Sequence, residues 1–284
     1  MRSRSEWVTE KWPNVDISYR IKSVIYDEKT EFQHLQLVDS HEFGRMLLLD
    51  GIVQTTEKDE FIYHEMMVHV PMLSHPNPRR VLIIGGGDGG ILRETLCYKA
   101  VERVVMVEID RKVIDFSREY LPGISKDSFD DQRAEIVIGD GADYVKETSE
   151  KFDVVIVDSP DPVGPAVILF SEEFYSNIRR VMNPSGIMTR QTGSLQIQPQ
   201  EQRDSCQLLK KIFRFAELYI YTVPTYIGGL FSSIFCSDSI DPMEIGYDIL
   251  KEKVLKQQID TLYYNPGLHV GGFFIPNFLK ARLK

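Results

Sequence analysis

Four branched apolar residues, Val81-Leu82-Ile83-Ile84, run directly into Gly85-Gly86-Gly87-Asp88-Gly89-Gly90. The apolar run is short and does not alternate, so it predicts a strand buried on both faces. The amphipathic segment from Ile91 to Leu96 predicts a helix directly after the glycines. Strand, tight turn and helix in that order point to a βα crossover architecture. Gly85, Gly87 and Gly90 have the G-x-G-x-x-G spacing of a nucleotide-binding turn, where a Cβ would block the ligand and forbid positive φ. By itself the spacing also suits a turn that binds nothing. Asp88 modifies the reading. A carboxylate in the turn repels a pyrophosphate and suits a ligand that is cationic or rich in hydroxyls and amines.

The segment on the N-terminal side has a different texture. Ile17, Tyr19 and Ile21 alternate with polar residues, and after a slip Val24 and Tyr26 resume the pattern. Phe32 to Val38 alternates more loosely, and Arg45 to Gln54 reads as a strand pair around an Asp50-Gly51 turn, a strong hairpin signal. Residues 1–58 are therefore expected to form a small antiparallel β domain without crossovers. Asp59 to Leu73 follows a helical period, with Pro71 placed to kink or end the last turn. The turn cluster Ser74 to Pro78 joins the two regions.

From Val81 onward strands and helices alternate. Further strands are expected at Val104–Glu108, Glu135–Ile138, Phe152–Val157, Gly186–Thr189, Leu218–Val223 and Phe231–Phe235. Helices are expected at Arg111–Tyr120, Asp143–Thr148, Ser171–Met182 and Gln200–Phe213. This pattern predicts an α/β fold: a doubly wound, mostly parallel, Rossmann-like sheet with an antiparallel edge, spanning a second domain, 59–284.

Ligands on such a sheet bind beyond the carboxyl ends of the strands. Each of the first four strands delivers a carboxylate there: Asp88, Glu108, Asp140 and Asp158. Any one of them is explained as a turn former or helix cap; four in register indicate a site. Glu108 stands where an acidic residue grips ribose hydroxyls. The proline-rich stretch Asp158 to Ala166 carries Asp158 and Asp161, readable as an ordinary surface loop or as a pair of anions facing an amine.

A net charge of -9 argues against a nucleic-acid partner, which calls for a basic face. Cys97, Cys206 and Cys236 are odd in number and far apart, as expected of free thiols in a reducing compartment. Neither a signal segment nor an apolar run of membrane-spanning length is visible, so a cytoplasmic location and no membrane partner are expected. His64 and His69 are five apart, whereas a zinc helix needs His-Glu-x-x-His, so no metal site is expected.

Together these stretches resemble the polyamine aminopropyltransferase family, its spermidine-forming members most of all. The resemblance covers nearly the whole chain. It runs through Leu49 to Gln54, Thr56 to Phe61, Tyr63-His64-Glu65-Met66, His75 to Pro78, Gly85 to Gly90 and Glu108-Ile109-Asp110. Asp140-Gly141, the Asp158 to Ala166 stretch, Pro224-Thr225-Tyr226 and Tyr264-Asn265 complete it. It implies a methyltransferase-like Rossmann fold and the transfer of an aminopropyl group from decarboxylated S-adenosylmethionine to putrescine, giving spermidine and methylthioadenosine. No cofactor is implied, because the nucleoside is a co-substrate. The same resemblance implies that Gln33, Gly85, Asp88, Glu108, Asp140, Gly141 and Pro165 hold the donor. It casts Asp158 as the base with Tyr63 assisting, and Asp161, Tyr226, His64 and Trp12 as the amine pocket. A homodimer or homotetramer is expected.

Other readings of the residues differ in testable ways. Tyr63 and Tyr226 also suit core aromatics, and Trp12 an anchor of the β domain. A nicotinamide oxidoreductase would bind NAD rather than methylthioadenosine. A methyltransferase would bring the carboxylate of S-adenosylmethionine against Asp88 and Asp158, which like-charge repulsion disfavours. A non-catalytic polyamine sensor would show no turnover. Pro160 and Ile227-Gly228-Gly229 depart from the family pattern beside the amine pocket, so agmatine, cadaverine and spermidine stay open as acceptors.

Overall fold

The computed structural model describes residues 6–159 and 168–283. The N-terminal strands β1 (Trp7–Trp12), β2 (Val15–Lys29), β3 (His34–Ser40), β4 (Arg45–Leu49) and β5 (Ile52–Thr56) form an antiparallel sheet in chain order. The irregular register between Ile21 and Ser23, and again between Val24 and Tyr26, accounts for the slip in the β2 pattern. Asp50 and Gly51 both have positive φ (51° and 81°), the requirement of a tight hairpin turn. Strand β1 has no counterpart in the sequence reading, because its burial follows no period-2 alternation.

The second sheet has the order β11-β12-β10-β9-β6-β7-β8. Its strands are β6 (Arg80–Gly85), β7 (Arg103–Glu108), β8 (Ala134–Ile138), β9 (Phe152–Asp158), β10 (Met182–Ser194), β11 (Phe215–Thr222) and β12 (Leu230–Ser237). Strands β10, β9, β6, β7 and β8 are parallel, and β12 runs antiparallel to both its neighbours. Burial on both faces explains the unbroken apolar runs. Val81, Ile83, Val104, Met106, Val154 and Ile156 enter one core, whereas Leu82, Ile84, Val105, Val107, Val155 and Val157 enter the other.

Helices α1 (Glu60–Ser74) and α2 (Gly90–Leu96) cover the first face. Helices α5 (Gly141–Glu147), α6 (Glu172–Val181) and α7 (Pro199–Ile212) cover the second. Between β7 and β8 lie α3 (Arg111–Tyr120) and α4 (Pro122–Ser125). Val113, Phe116, Leu121 and Ile124 from this region pack against Leu35, Leu37 and Leu47 of the N-terminal sheet. That small core ties the two sheets together.

Two helices differ from expectation in ways that bear on the site. Helix α5 starts at Gly141 because Asp140 caps it, its carboxylate accepting from the Ala142 N–H at 2.7 Å. Helix α1 continues through Pro71 to Ser74. It is also buried on every side from Ile62 to Ser74. Its polar side chains must therefore find protein partners. Glu65 does so by accepting from the backbone N–H groups of Leu262, Tyr263 and Tyr264 at 2.8, 2.9 and 2.6 Å. This clamp holds the C-terminal region against α1. That region contains α8 (Tyr247–Gln257), α9 (Pro266–Gly272) and α10 (Asn277–Arg282), which the sequence reading left unassigned.

Candidate active site

Strand order reverses between β6 and β9, so the crevice of this sheet opens beyond their carboxyl ends. Gly85 is the register partner of Asp158 there. A Cβ on Gly85 would lie 2.1 Å from the Asp158 carbonyl oxygen, and its φ is +83°. Gly85→Ala is therefore expected to destabilise the protein by about 2–5 kcal/mol, combining backbone strain with overpacking. A denaturant titration that shows less than about 1 kcal/mol of loss would refute that close packing.

Across the sheet edge the strand order β9, β6, β7, β8 sets out Asp158, Asp88, Glu108 and Asp140 in a row. Three of them also serve locally. Asp88 accepts from the Gly90 N–H at 2.9 Å, Glu108 from the Asp110 N–H at 2.9 Å, and Asp140 caps α5. The turn-forming and site-forming readings are thus compatible: one carboxylate oxygen fixes the loop. Gly87 leaves room for Glu108, whose Oε2 would lie 2.9 Å from a Cβ at that position.

The four carboxylates do not share one electrostatic state. Burial, reinforced by Asp88, pushes the Asp158 carboxyl up to about 6, although the Tyr63 hydrogen bond and His64 oppose the rise. Burial pushes Glu108 up to about 7, against its backbone hydrogen bond from Asp110. Asp88 goes the other way: burial would raise it, but the adjacent His64 cation holds it below the usual carboxylate range. The crevice therefore pairs a firmly ionised carboxylate with one that exchanges a proton near neutrality, the arrangement expected of a proton acceptor.

Tyr63 projects from α1 and donates to Asp158 Oδ1 at 2.5 Å. Burial and Asp158 raise its pKa well above the ordinary value, so it is a neutral donor and not a base. Its ring meets Tyr226 edge-on, with centroids 5.5 Å apart, and Phe231 packs against both. The Tyr226 hydroxyl donates to the Gln54 carbonyl at 2.7 Å. The neighbouring Thr225 is held by Asp59, which accepts from its N–H and hydroxyl, and its carbonyl accepts from Tyr19 at 2.7 Å.

The N-terminal region packs beside two of these segments. Gln33 donates to Asp110 Oδ2 at 3.3 Å, close to Glu108. Trp12 donates its indole N–H to Glu10 at 2.9 Å, and Glu10 acts electrostatically on Tyr19, beside Thr225. His64 is placed under the glycine turn, against Asp88. Gly141 abuts Ile84, whose Cγ2 would be 2.4 Å from a Cβ there. Asp161, Pro165 and Pro160 lie outside the described residues.

Two further side chains reach this region without having been read from the sequence. Gln191 on β10 is buried and donates to the Ser159 carbonyl at 3.2 Å. Glu10 is only 1% exposed, although its strand Trp-Val-Thr-Glu-Lys-Trp looks like a solvated edge. Burial is the only signal for either, and it is invisible before folding. Among the described residues no three His, Cys, Asp or Glu groups are arranged to hold a metal ion. His64 and His69 turn to different partners, His69 facing Tyr98 and Glu94. A surface hollow of about 330 Å³ lies at the amino ends of β9 and β10, lined by Lys151, Arg179 and Asn183. Its polar groups are already engaged, Arg179 with Asp238 and Asn183 with Asp153, and it is remote from the carboxylate row.

Fold and site together define a class: a Rossmann-like protein whose crevice offers carboxylates and tyrosine hydroxyls where phosphate binders offer bare backbone. Residues 60–244 match the spermine/spermidine synthase domain, and residues 6–57 match the spermidine synthase tetramerisation domain. The polyamine aminopropyltransferase of Thermoanaerobacter pseudethanolicus is 46% identical over 275 residues, covering 96% of this chain and 97% of that relative. That of Shigella boydii is 41% identical over 283 residues, covering 100% of this chain and 98% of the relative. A crystal structure of spermidine synthase in complex with the transition state analogue AdoDATO superposes with a TM-score of 0.93 at 40% identity, covering 99% of this chain and 98% of that one. Spermidine synthase from Thermotoga maritima gives 0.92 at 40% identity, covering 99% and 95%. The chain belongs to the spermine/spermidine synthase family and is a transferase of the polyamine aminopropyltransferase class. Among the described residues no helix is long and apolar enough to cross a membrane.

Proposed function

We propose that the chain is a spermidine synthase, moving the aminopropyl group of decarboxylated S-adenosylmethionine to putrescine. The observation that carries this reading is the state of Asp158. It ends β9 at the switch point and accepts from Tyr63, and burial beside Asp88 raises its carboxyl to about 6. On this reading Glu108 holds the ribose, Asp140 and Gly141 border the adenine, and Gln33, Gly85, Asp88 and Pro165 complete the donor site. Asp161, Tyr226, Trp12 and His64 border the amine. The tetramerisation-domain match supports a homo-oligomer of this chain.

The chemistry follows from the charges. A primary ammonium with a pKa of about 10.4 is neutral in only about one molecule in 2,500 at pH 7, a cost of roughly 4.6 kcal/mol. Carboxylates hold the dication, and Asp158 takes a proton from the attacking nitrogen. That nitrogen's lone pair forms a bond to the carbon beside the sulfonium. The C–S electron pair stays on sulfur, which leaves as a neutral thioether and needs no acid. Tyr63 keeps its proton and orients Asp158 by donating to it.

Product analysis with decarboxylated S-adenosylmethionine and a panel of putrescine, cadaverine, agmatine and spermidine tests the reading. Spermidine and methylthioadenosine from putrescine are expected, and products from another amine alone would reassign the acceptor. Pro160 and Ile227-Gly228-Gly229, the departures from the family pattern, are where such a difference would originate. The pH profile is a separate check. Asp158 accepts no proton while it is itself protonated, so kcat/KM should rise as pH passes through about 6. It should keep rising toward about pH 9 as the amine deprotonates more easily. A rate that falls steadily over that interval, or that is lost in chelator, would exclude a mechanism run by carboxylates.

A further inference from the structure

The turn between β2 and β3 carries Gln33, and Thr30 organises it. The Thr30 hydroxyl accepts from the N–H groups of Phe32 and Gln33, both at 3.1 Å, and the Thr30 N–H donates to the Gln33 carbonyl at 2.8 Å. Threonine hydroxyls set turns in this way by replacing a backbone acceptor. A hydroxyl that accepts still has its own proton to give. Thr30 gives it to Asp110 Oδ2 at 2.7 Å, 80 residues away on the loop after β7. Asp110 is 3% exposed and accepts on both oxygens. Its Oδ1 takes the Lys112 N–H at 3.0 Å and so caps α3, while Oδ2 takes both Thr30 and the Gln33 Nε2. The Asp110 N–H in turn goes to Glu108 Oε1. Thr30, Gln33, Asp110 and Glu108 therefore form one hydrogen-bonded chain from the N-terminal sheet to the end of β7.

This chain settles what Gln33 offers. A glutamine amide carries a donor and an acceptor at the same end, and rotation exchanges them. Asp110 occupies the donor, so the amide oxygen is the atom turned to a ligand. Glu108 is an acceptor as well, and two acceptors suit the two hydroxyls of a ribose. With Gln33 and Glu108 read as donor-site residues, we propose that Thr30 is a positioning residue: through Asp110 it holds Gln33 as a hydroxyl acceptor and sets the preference of the site for a nucleoside with an intact ribose. Thr30 exerts this effect through Gln33, not by contact with a substrate. Asp110 is the weaker half of the device, since its bond to Gln33 is 3.3 Å long whereas its bond to Thr30 is 2.7 Å. Without the Thr30 hydroxyl the turn loses an acceptor for two N–H groups and its tie to Asp110, and the half-buried amide is released to rotate.

Calorimetry with methylthioadenosine and its 2′-deoxy and 3′-deoxy analogues tests this. Wild type should prefer methylthioadenosine to at least one analogue by about tenfold or more, the cost of leaving a buried acceptor unpaired. Thr30→Val keeps the shape of the side chain and should weaken methylthioadenosine by about five- to tenfold, with the preference over that analogue narrowed by a similar factor. Thr30→Ser, which restores the hydroxyl, should return both to within about twofold of wild type. In a Gln33→Ala background Thr30→Val should change little, because two residues that act through one group are not additive. Equal weakening of all three nucleosides by Thr30→Val would mean a merely structural role and overturn the proposal. Unchanged affinity, failure of Thr30→Ser to rescue, or losses that add in the double variant would overturn it too. Failure of the wild-type protein to bind methylthioadenosine at all would instead sink the functional reading.

Discussion

Asp158→Asn is expected to lower kcat by about 1,000-fold, within the usual range for loss of a general base. The substitution keeps the shape of the side chain, and Tyr63 can still donate to the remaining amide oxygen. Geometry is therefore preserved while the proton acceptor is removed. Methylthioadenosine carries no amine, so its affinity should change by less than about threefold, under 1 kcal/mol. Single-turnover kinetics and calorimetry on the same preparation separate the two effects. Turnover within tenfold of wild type would remove Asp158 from the role of base. Equal losses in kcat and in nucleoside affinity would instead mean that Asp158 organises the crevice through its strand end beside Gly85.

Glu108→Gln should weaken methylthioadenosine binding by about 10- to 100-fold, the value of a charge-assisted hydrogen bond exchanged for a neutral one in a buried site. Its pH dependence provides an internal control. Burial raises the Glu108 carboxyl to about 7, and on the proposed reading ribose hydroxyls donate to its ionised form. Binding therefore releases protons, and wild-type affinity should increase as pH rises through about 7. With glutamine at the position that increase should vanish, leaving a flat profile. Calorimetry in buffers of different ionisation enthalpy would count the protons directly. Wild-type affinity that is flat, or that declines with rising pH, would contradict a ribose contact through the carboxylate.

Much of this site was legible because it is built from local patterns. An unbroken apolar run marks a strand buried on both faces, glycines mark a turn, and a carboxylate after each strand falls on the same sheet edge by topology alone. That logic points to Asp88, Glu108, Asp140 and Asp158, which the strand order sets out in a row. It failed for β1, whose burial does not alternate, and for the C-terminal helices, whose segments follow a weak period.

The sequence by itself determined the crossover architecture, the row of carboxylates and the family, because periodicity, turn chemistry and ordered motifs are properties of neighbouring residues. Only the tertiary structure decided how those groups ionise and which distant segments complete the site. Gln33 reaches Asp110 across 77 residues, Tyr226 reaches Gln54 across 172, and Tyr63 meets Asp158 across 95. His64 acquires its charge from Asp88 and Glu60, and Asp158 loses part of its acidity to burial. The physical reason is common to all of these. A pKa and a long-range hydrogen bond depend on which groups share a desolvated volume, and that volume exists only once the sheets and helices have packed.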